Sequence, residues 1–141
     1  MRAYDRNSKK FKDFVITRFK QFDIIDSDIA MAEMKESDNQ WNRIVDLTLI
    51  PHSKSSFSEV IEFDYAMTDG QLSTQVRAAL VGYMLNQWDV DFLENYQLNH
   101  NQYQLALKAR EAIYAVGNAD LVQGYQEIKN DHRKKTKRIG L

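Results

Sequence analysis

The chain has 141 residues, of which 43% are hydrophobic and 28% charged, with a formal net charge of −1; this length buries a core without crosslinks, so one domain over residues 1–141 is expected. Cysteine is absent, which excludes disulfides and thiolate chemistry and favours a cytoplasmic home. The opening MRAYDRNSKK lacks an apolar run, and no stretch approaches the roughly 20 apolar residues of a bilayer span, so neither a leader nor a membrane partner is expected.

The small net charge hides an uneven distribution. Residues 1–20 hold seven Lys/Arg against two acids, and residues 129–138 hold six against one, whereas residues 21–128 hold six bases against seventeen acids. Basic ends can contact phosphates with a steep salt dependence. They can equally pair with the chain's own acidic middle.

With only one Pro and five Gly, the chain leans helical. In KFKDFVITRFKQF, Phe11, Phe14, Val15, Phe19 and Phe22 repeat at helical spacing, and a second short helix follows over 27–36 with Ile25, Ile29 and Ala32 as its stripe. Together they make an N-terminal helical pair over 10–36. ESDNQ reads as a loop. RIVDLTLI alternates well enough for a strand, with Val45, Leu47 and Leu49 on one face, but Trp41, Ile44, Val45 and Thr48 also fit a helix. The next segment, SSFSEVIEFDYAM, has capping-box spacing at Ser56 and Glu59 and a helical repeat. It tips the region to two helices, with a short β-hairpin around 43–65 as the alternative. Asp69–Gly70 is a turn, and LSTQVRAALVGYMLNQW reads as a helix with Leu72, Val76, Ala79, Leu80 and Tyr83 sharing a face. Gly117 is placed to end a helix, and a last helix is expected from 118 to about 132 before a basic tail over 133–141. The expected fold is an all-α, single-domain multi-helix bundle.

The stretch DVDFLENYQLNHNQYQLALKAREAI carries the functional reading. Two readings stand: an ordinary pair of core helices, or a helix-turn-helix within 72–116. In the second, residues 90–96 form the first helix with Phe92 and Tyr96 inward. Gln97, Leu98 and Asn99 make the turn, and Asn99 caps a helix starting at His100. Its exposed start would present His100, Asn101, Gln102 and Gln104 to base edges, with Lys108 and Arg110 further along. Asn and Gln amides pair bidentately with adenine, and Lys and Arg reach phosphates. The tail cations Arg133, Lys134, Lys135, Lys137 and Arg138 would add phosphate contacts. The small residue usual in the middle of the first helix is replaced by Leu93, and the usual turn Gly by Gln97.

This arrangement of support helix, LENYQLNHNQYQLALKAREAI and a further helix resembles region 4 of sigma factors. It is also similar to the small phage-encoded late-gene transcriptional regulators of the ArpU-like and RinA-like groups, whose N-terminal "ID..IA..E" pattern is matched by IDSDIAMAEMKE at 25–36. The resemblance implies promoter binding through the helix from His100 to double-stranded DNA, with host RNA polymerase as a further partner.

Chemistry of other kinds finds little footing. His52, His100 and His132 are isolated, without ligand spacing for a metal, and read as solvated or capping residues. The carboxylate pairs Asp26/Asp28 and Asp89/Asp91 fall at expected helix starts, where they offset the helix dipole. No phosphate-cradling Gly-rich loop or nucleophile elbow is present. No catalytic residue, metal or cofactor is expected, and an enzyme is disfavoured. The leading expectation is a DNA-binding transcriptional regulator that self-associates through the Phe-rich first helix. The alternatives are a protein–protein module, such as a phage accessory inhibitor using the acidic middle, and a phage assembly protein docking basic ends on an acidic neighbour.

Overall fold

In the computed structural model, residues 1–121 are described. The last helix beyond residue 121 and the basic tail, with Arg133, Lys134, Lys135, Lys137 and Arg138, lie outside the described residues. The all-α expectation is overturned: the described chain is mixed α/β, with a two-stranded and a four-stranded sheet.

The chain opens with an antiparallel hairpin, β1 (Arg2–Asp5) and β2 (Lys10–Asp13), where a helix was expected from Phe11 onward. Tyr4 lies opposite Phe11 with ring centroids 5.3 Å apart, and Arg2 lies opposite Asp13. Asp5 closes the turn, accepting from the Asn7 amide at 3.0 Å and the Ser8 hydroxyl at 2.7 Å. These cross-strand pairs and the Asx-type turn outcompete the weaker 3.6-residue repeat of the phenylalanines. Residues 14–38 then run without strand or α-helix, with single 3-10 turns at Ile16–Arg18, Met31–Glu33 and Lys35–Ser37. The expected N-terminal helical pair is therefore absent, and Phe22, Ile24, Ile25, Ile29 and Met31 are exposed.

A one-turn helix, α1 (Asn39–Asn42), is capped by the buried Asp38, which accepts from the Trp41 amide at 3.2 Å. The main sheet follows. β3 (Ile44–Pro51) buries Val45, Leu47 and Leu49 and leaves Ile44 and Asp46 exposed, the period-2 alternation that the helix reading set aside. α2 (Ser58–Asp64) forms as expected, with Ile61 as its buried residue. The Asp69–Gly70 turn also forms, both residues having positive φ, and leads into β4 (Leu72–Arg77). Only the second half of the expected 72–88 helix is helical, as α3 (Ala78–Gln87). β5 (Val90–Asp91) and β6 (Leu105–Leu107) complete the sheet, where the two helix-turn-helix helices were expected.

The sheet order is β4-β3-β6-β5. β3 is antiparallel to both β4 and β6, and β5 is parallel to β6. Leu47, Leu49, Leu105 and Leu107 from the sheet meet Val81 and Leu85 of α3 in one cluster, joined by Val90, Phe92, Leu98 and Tyr103. Each fully buried Leu contributes about 1.5–3 kcal/mol of transfer free energy. A 3-10 turn, Arg110–Ile113, follows β6. The chain then runs back over α3, where Asn118 accepts from the Gly82 amide at 3.1 Å and donates to the Ala79 carbonyl at 2.8 Å.

Candidate functional site

The stretch from 89 to 110 is built around a buried carboxylate. Asp91 is fully buried in β5. Its Oδ1 accepts from the Leu93 amide at 2.9 Å, and its Oδ2 accepts from the Leu98 amide at 2.8 Å and lies 3.1 Å from His52 Nε2. His52, also buried, accepts through Nδ1 from the Lys54 amide at 3.2 Å, so Nε2 carries the proton and donates to Asp91. The His52 amide in turn donates to the Gln104 carbonyl at 2.8 Å. The Asp91 side chain thus pins the first limb of the 92–104 loop at Leu93 and Leu98, and the His52 backbone ties its return limb at Gln104 to the end of β3. The reading of His52 as a solvated or capping residue and of Asp91 as a helix-start carboxylate is corrected: both are core polar groups satisfied by one another.

The loop also explains why no helix starts at His100. Asn95 and Tyr96 have positive φ, and Leu105, Ala106 and Leu107 are all buried in a strand flanked on both sides. A strand so placed reads as a continuous apolar run, which sequence alone does not separate from a helix. Asn99 does act locally as a cap, accepting from the Asn101 amide at 3.1 Å, but it closes a turn instead of opening a helix.

The expected base-reading residues fall on this loop and beyond it. His100 is half-buried, its ring centroid 6.1 Å from that of His52, while Asn101, Gln102 and Gln104 are exposed. Lys108 is exposed and donates to Gln71 Oε1 at 2.9 Å, and Arg110 stands 3.9 Å from Glu94. The structure brings the first three together in one turn with Gln104 beside them. Lys108 and Arg110 lie past the strand, so the six do not share one helical face.

Three of the seven cations in residues 1–20 meet the chain's own acids. Arg2 contacts both Asp13 and the buried Asp38, Arg6 pairs with Glu33 through two contacts of 2.6 and 2.8 Å, and Lys12 pairs with Asp5. The Lys12 ammonium and the Ser8 hydroxyl hold the Asp5 carboxyl down at about 2. Burial pushes Asp38 upward, but the Arg2 guanidinium and the Trp41 amide outweigh it and leave its carboxyl below the ordinary value. Among the described residues no three His, Asp or Glu side chains gather as metal ligands would. Nor is any described helix long and apolar enough to cross a membrane.

Sequence reasoning missed the Asp91–His52 pair because 39 positions separate its members and no spacing signal links them. Of the helical repeat in SSFSEVIEFDYAM, the structure buries Ile61 and exposes Phe57 and Val60.

Residues 44–113, which run from β3 to the turn after β6, match the family model described as BrxR transcriptional regulator, C-terminal dimerization domain. The chain is 32% identical over 117 residues to the DNA-binding transcriptional repressor CapW of Escherichia coli (strain KTE188), covering 82% of this chain and 38% of that protein. It is 32% identical over 134 residues to the repressor of the same name from Pseudomonas aeruginosa, covering 87% of this chain and 39% of that one. The chain therefore spans about two fifths of the length of the curated relatives it matches. These relatives are named as repressors, in keeping with the non-enzymatic regulator expected from the sequence. The ArpU-like and RinA-like resemblance is corrected along with the helix-turn-helix that carried it. By these matches residues 44–113 are similar to the BrxR C-terminal dimerization domain, and most of the chain is similar to about two fifths of the CapW repressors.

Proposed function

We propose that the chain supplies the dimerization module of a DNA-binding transcriptional repressor acting in the cytoplasm. One observation carries this reading: the segment that matches a dimerization domain, 44–113, is also the segment that holds the packed core. A two-fold dimer gives a regulator two DNA-reading units at a fixed separation, matched to paired half-sites. Binding to DNA is then a property of the whole regulator, as the names of the CapW relatives suggest. Self-association moves from the Phe-rich segment, which forms no amphipathic helix, to the matched domain. Contact with RNA polymerase and a phage origin are not part of this proposal.

Sedimentation equilibrium of the 141-residue chain from 1 to 100 μM tests the module, the expected result being a reversible dimer. DNA contact by this chain is tested by fluorescence anisotropy with random-sequence duplex across a salt series, comparing wild type with the double variant Asn101→Ala, Gln104→Ala. Equal binding by both would remove the 99–104 loop from any DNA interface. A monomer at every concentration would refute the dimerization reading.

A further inference from the structure

We propose that the dimer forms through α2, with Phe57, Val60 and Phe63 of one copy packing against the same residues of a second copy. The inference rests on the dimerization reading and names the surface that performs it. Phe57 precedes α2, and Val60 and Phe63 follow at three-residue steps, so the three lie along one side of the helix. They are 70%, 55% and 85% exposed, although Ile61 on the adjoining side is buried at 4%. A seven-residue helix that anchors through one side chain and offers two phenylalanines to water is a helix with a second face to cover.

The occupant follows from where the patch lies. Other exposed apolar residues, such as Phe22 and Ile24, sit in the irregular 14–38 segment, outside the part that matches a dimerization domain. α2 lies inside it. Within that part Leu80, Tyr83 and Trp88 are also exposed, but at 41–44% each they are less so than Phe57, Val60 and Phe63; the open edge of β4 carries outward Ser73 and Gln75, and Gln75 is held by Asp46 at 2.7 Å. Polar side chains along an edge discourage pairing with another strand.

The areas agree with a patch centre. Two phenylalanines at these exposures and one valine present roughly 400 Å² of apolar surface, taking about 200 Å² for each aromatic side chain. A standard interface buries about 800 Å² per partner, with an apolar centre and a polar rim. Val60 lies midway along the row, so a two-fold axis near it sets Phe57 of one copy against Phe63 of the other. The rim is acidic: α2 also carries Glu59, Glu62 and Asp64. Two such rims repel, so added salt tightens this dimer, whereas docking of basic ends on an acidic middle would weaken with salt.

The test uses the full chain and three variants. Phe63→Asp places a charge on the patch opposite Phe57 of the second copy, at a site exposed enough to leave folding intact, which far-UV circular dichroism verifies. Ile24→Asp does the same at a 96% exposed position outside the matched domain. Because the chain has no cysteine, Val60→Cys introduces a single thiol that crosslinks across a two-fold axis under mild oxidation. The expected result is a dimer for wild type and Ile24→Asp, a dimer dissociation constant raised roughly thirty-fold or more in Phe63→Asp as for an interface hot spot, and a disulfide-linked dimer for Val60→Cys. A wild-type dimer that Phe63→Asp leaves intact and Val60→Cys does not crosslink would overturn the α2 face and keep the dimerization reading. A wild-type monomer would overturn both.

Discussion

Substituting Asp91 by Ala should cost more stability than any single hydrophobic truncation at the surface of this domain. The carboxylate receives three hydrogen bonds, from the Leu93 and Leu98 amides and from His52, all in buried surroundings. Removing it leaves two amide N–H groups and one imidazole N–H without a partner. Each buried donor so stranded costs about 1–3 kcal/mol. Relief of the desolvation borne by a buried carboxylate offsets part of the sum, and breaking one side of a buried polar pair typically costs about 3–5 kcal/mol. We expect Asp91→Ala to fall in that range, a large share of the roughly 5–15 kcal/mol that holds a domain together. Asp91→Asn should lose less, since its carbonyl keeps one acceptor while its amide faces a donor. Urea unfolding, followed by far-UV circular dichroism and by the fluorescence of Trp41 and Trp88, measures both. A loss below about 1 kcal/mol in Asp91→Ala would show that the 92–104 loop is held by something other than this carboxylate.

Three further outcomes are expected. Ala66, at φ 48°, ends α2 in a Schellman arrangement, with the Ala66 amide on Phe63 and the Met67 amide on Glu62; Ala66→Gly should therefore raise stability by about 1 kcal/mol in the same unfolding assay. Gly82→Ala should do the reverse of an ordinary helical Gly→Ala change, because its Cβ would stand 1.9 Å from the Asn118 carbonyl oxygen; a loss of roughly 1–3 kcal/mol and faster proteolysis near residue 118 are expected. Asp5, held at about 2 from an ordinary 3.8, contributes to the hairpin fully above pH 4, and that contribution disappears as the pH falls from about 4 to 2. The difference between wild type and Asp5→Asn in the Tyr4 and Phe11 proton shifts should shrink over that window, and a constant difference would refute the Lys12–Asp5 contact as its cause.

What the sequence showed depends on whether local signals agreed with long-range pairing. α2 and the Asp69–Gly70 turn were readable because their signals are local. In β3, the alternation of Val45, Leu47 and Leu49 was visible, yet a helical repeat fitted the same residues. The decision lies in β4 and β6, which pair on either side of it. LSTQVR illustrates the same conflict: its residues fit a helical face continuous with AALVGYMLNQ, but pairing with β3 makes it a strand up to Arg77. The 92–104 loop was least readable, since its shape is set by a carboxylate and an imidazole brought together only by the completed fold. The polar residues around His100 that suggested a DNA-reading helix lie on a loop, while the similarity to regulators resides in the sheet and helices of 44–113.

The sheet order has a consequence for the chain during synthesis. β6, the last strand among the described residues, occupies an inner position between β3 and β5. β3 and β4 can pair as soon as they leave the ribosome, but β3 then shows its other edge to the surroundings until Leu105–Leu107 arrive. A chain interrupted anywhere between residues 78 and 104 would keep that apolar edge open, where it can recruit another chain by strand addition. Three residues near the end of the matched segment thus decide whether the inner edge of β3 is covered or left to recruit another chain.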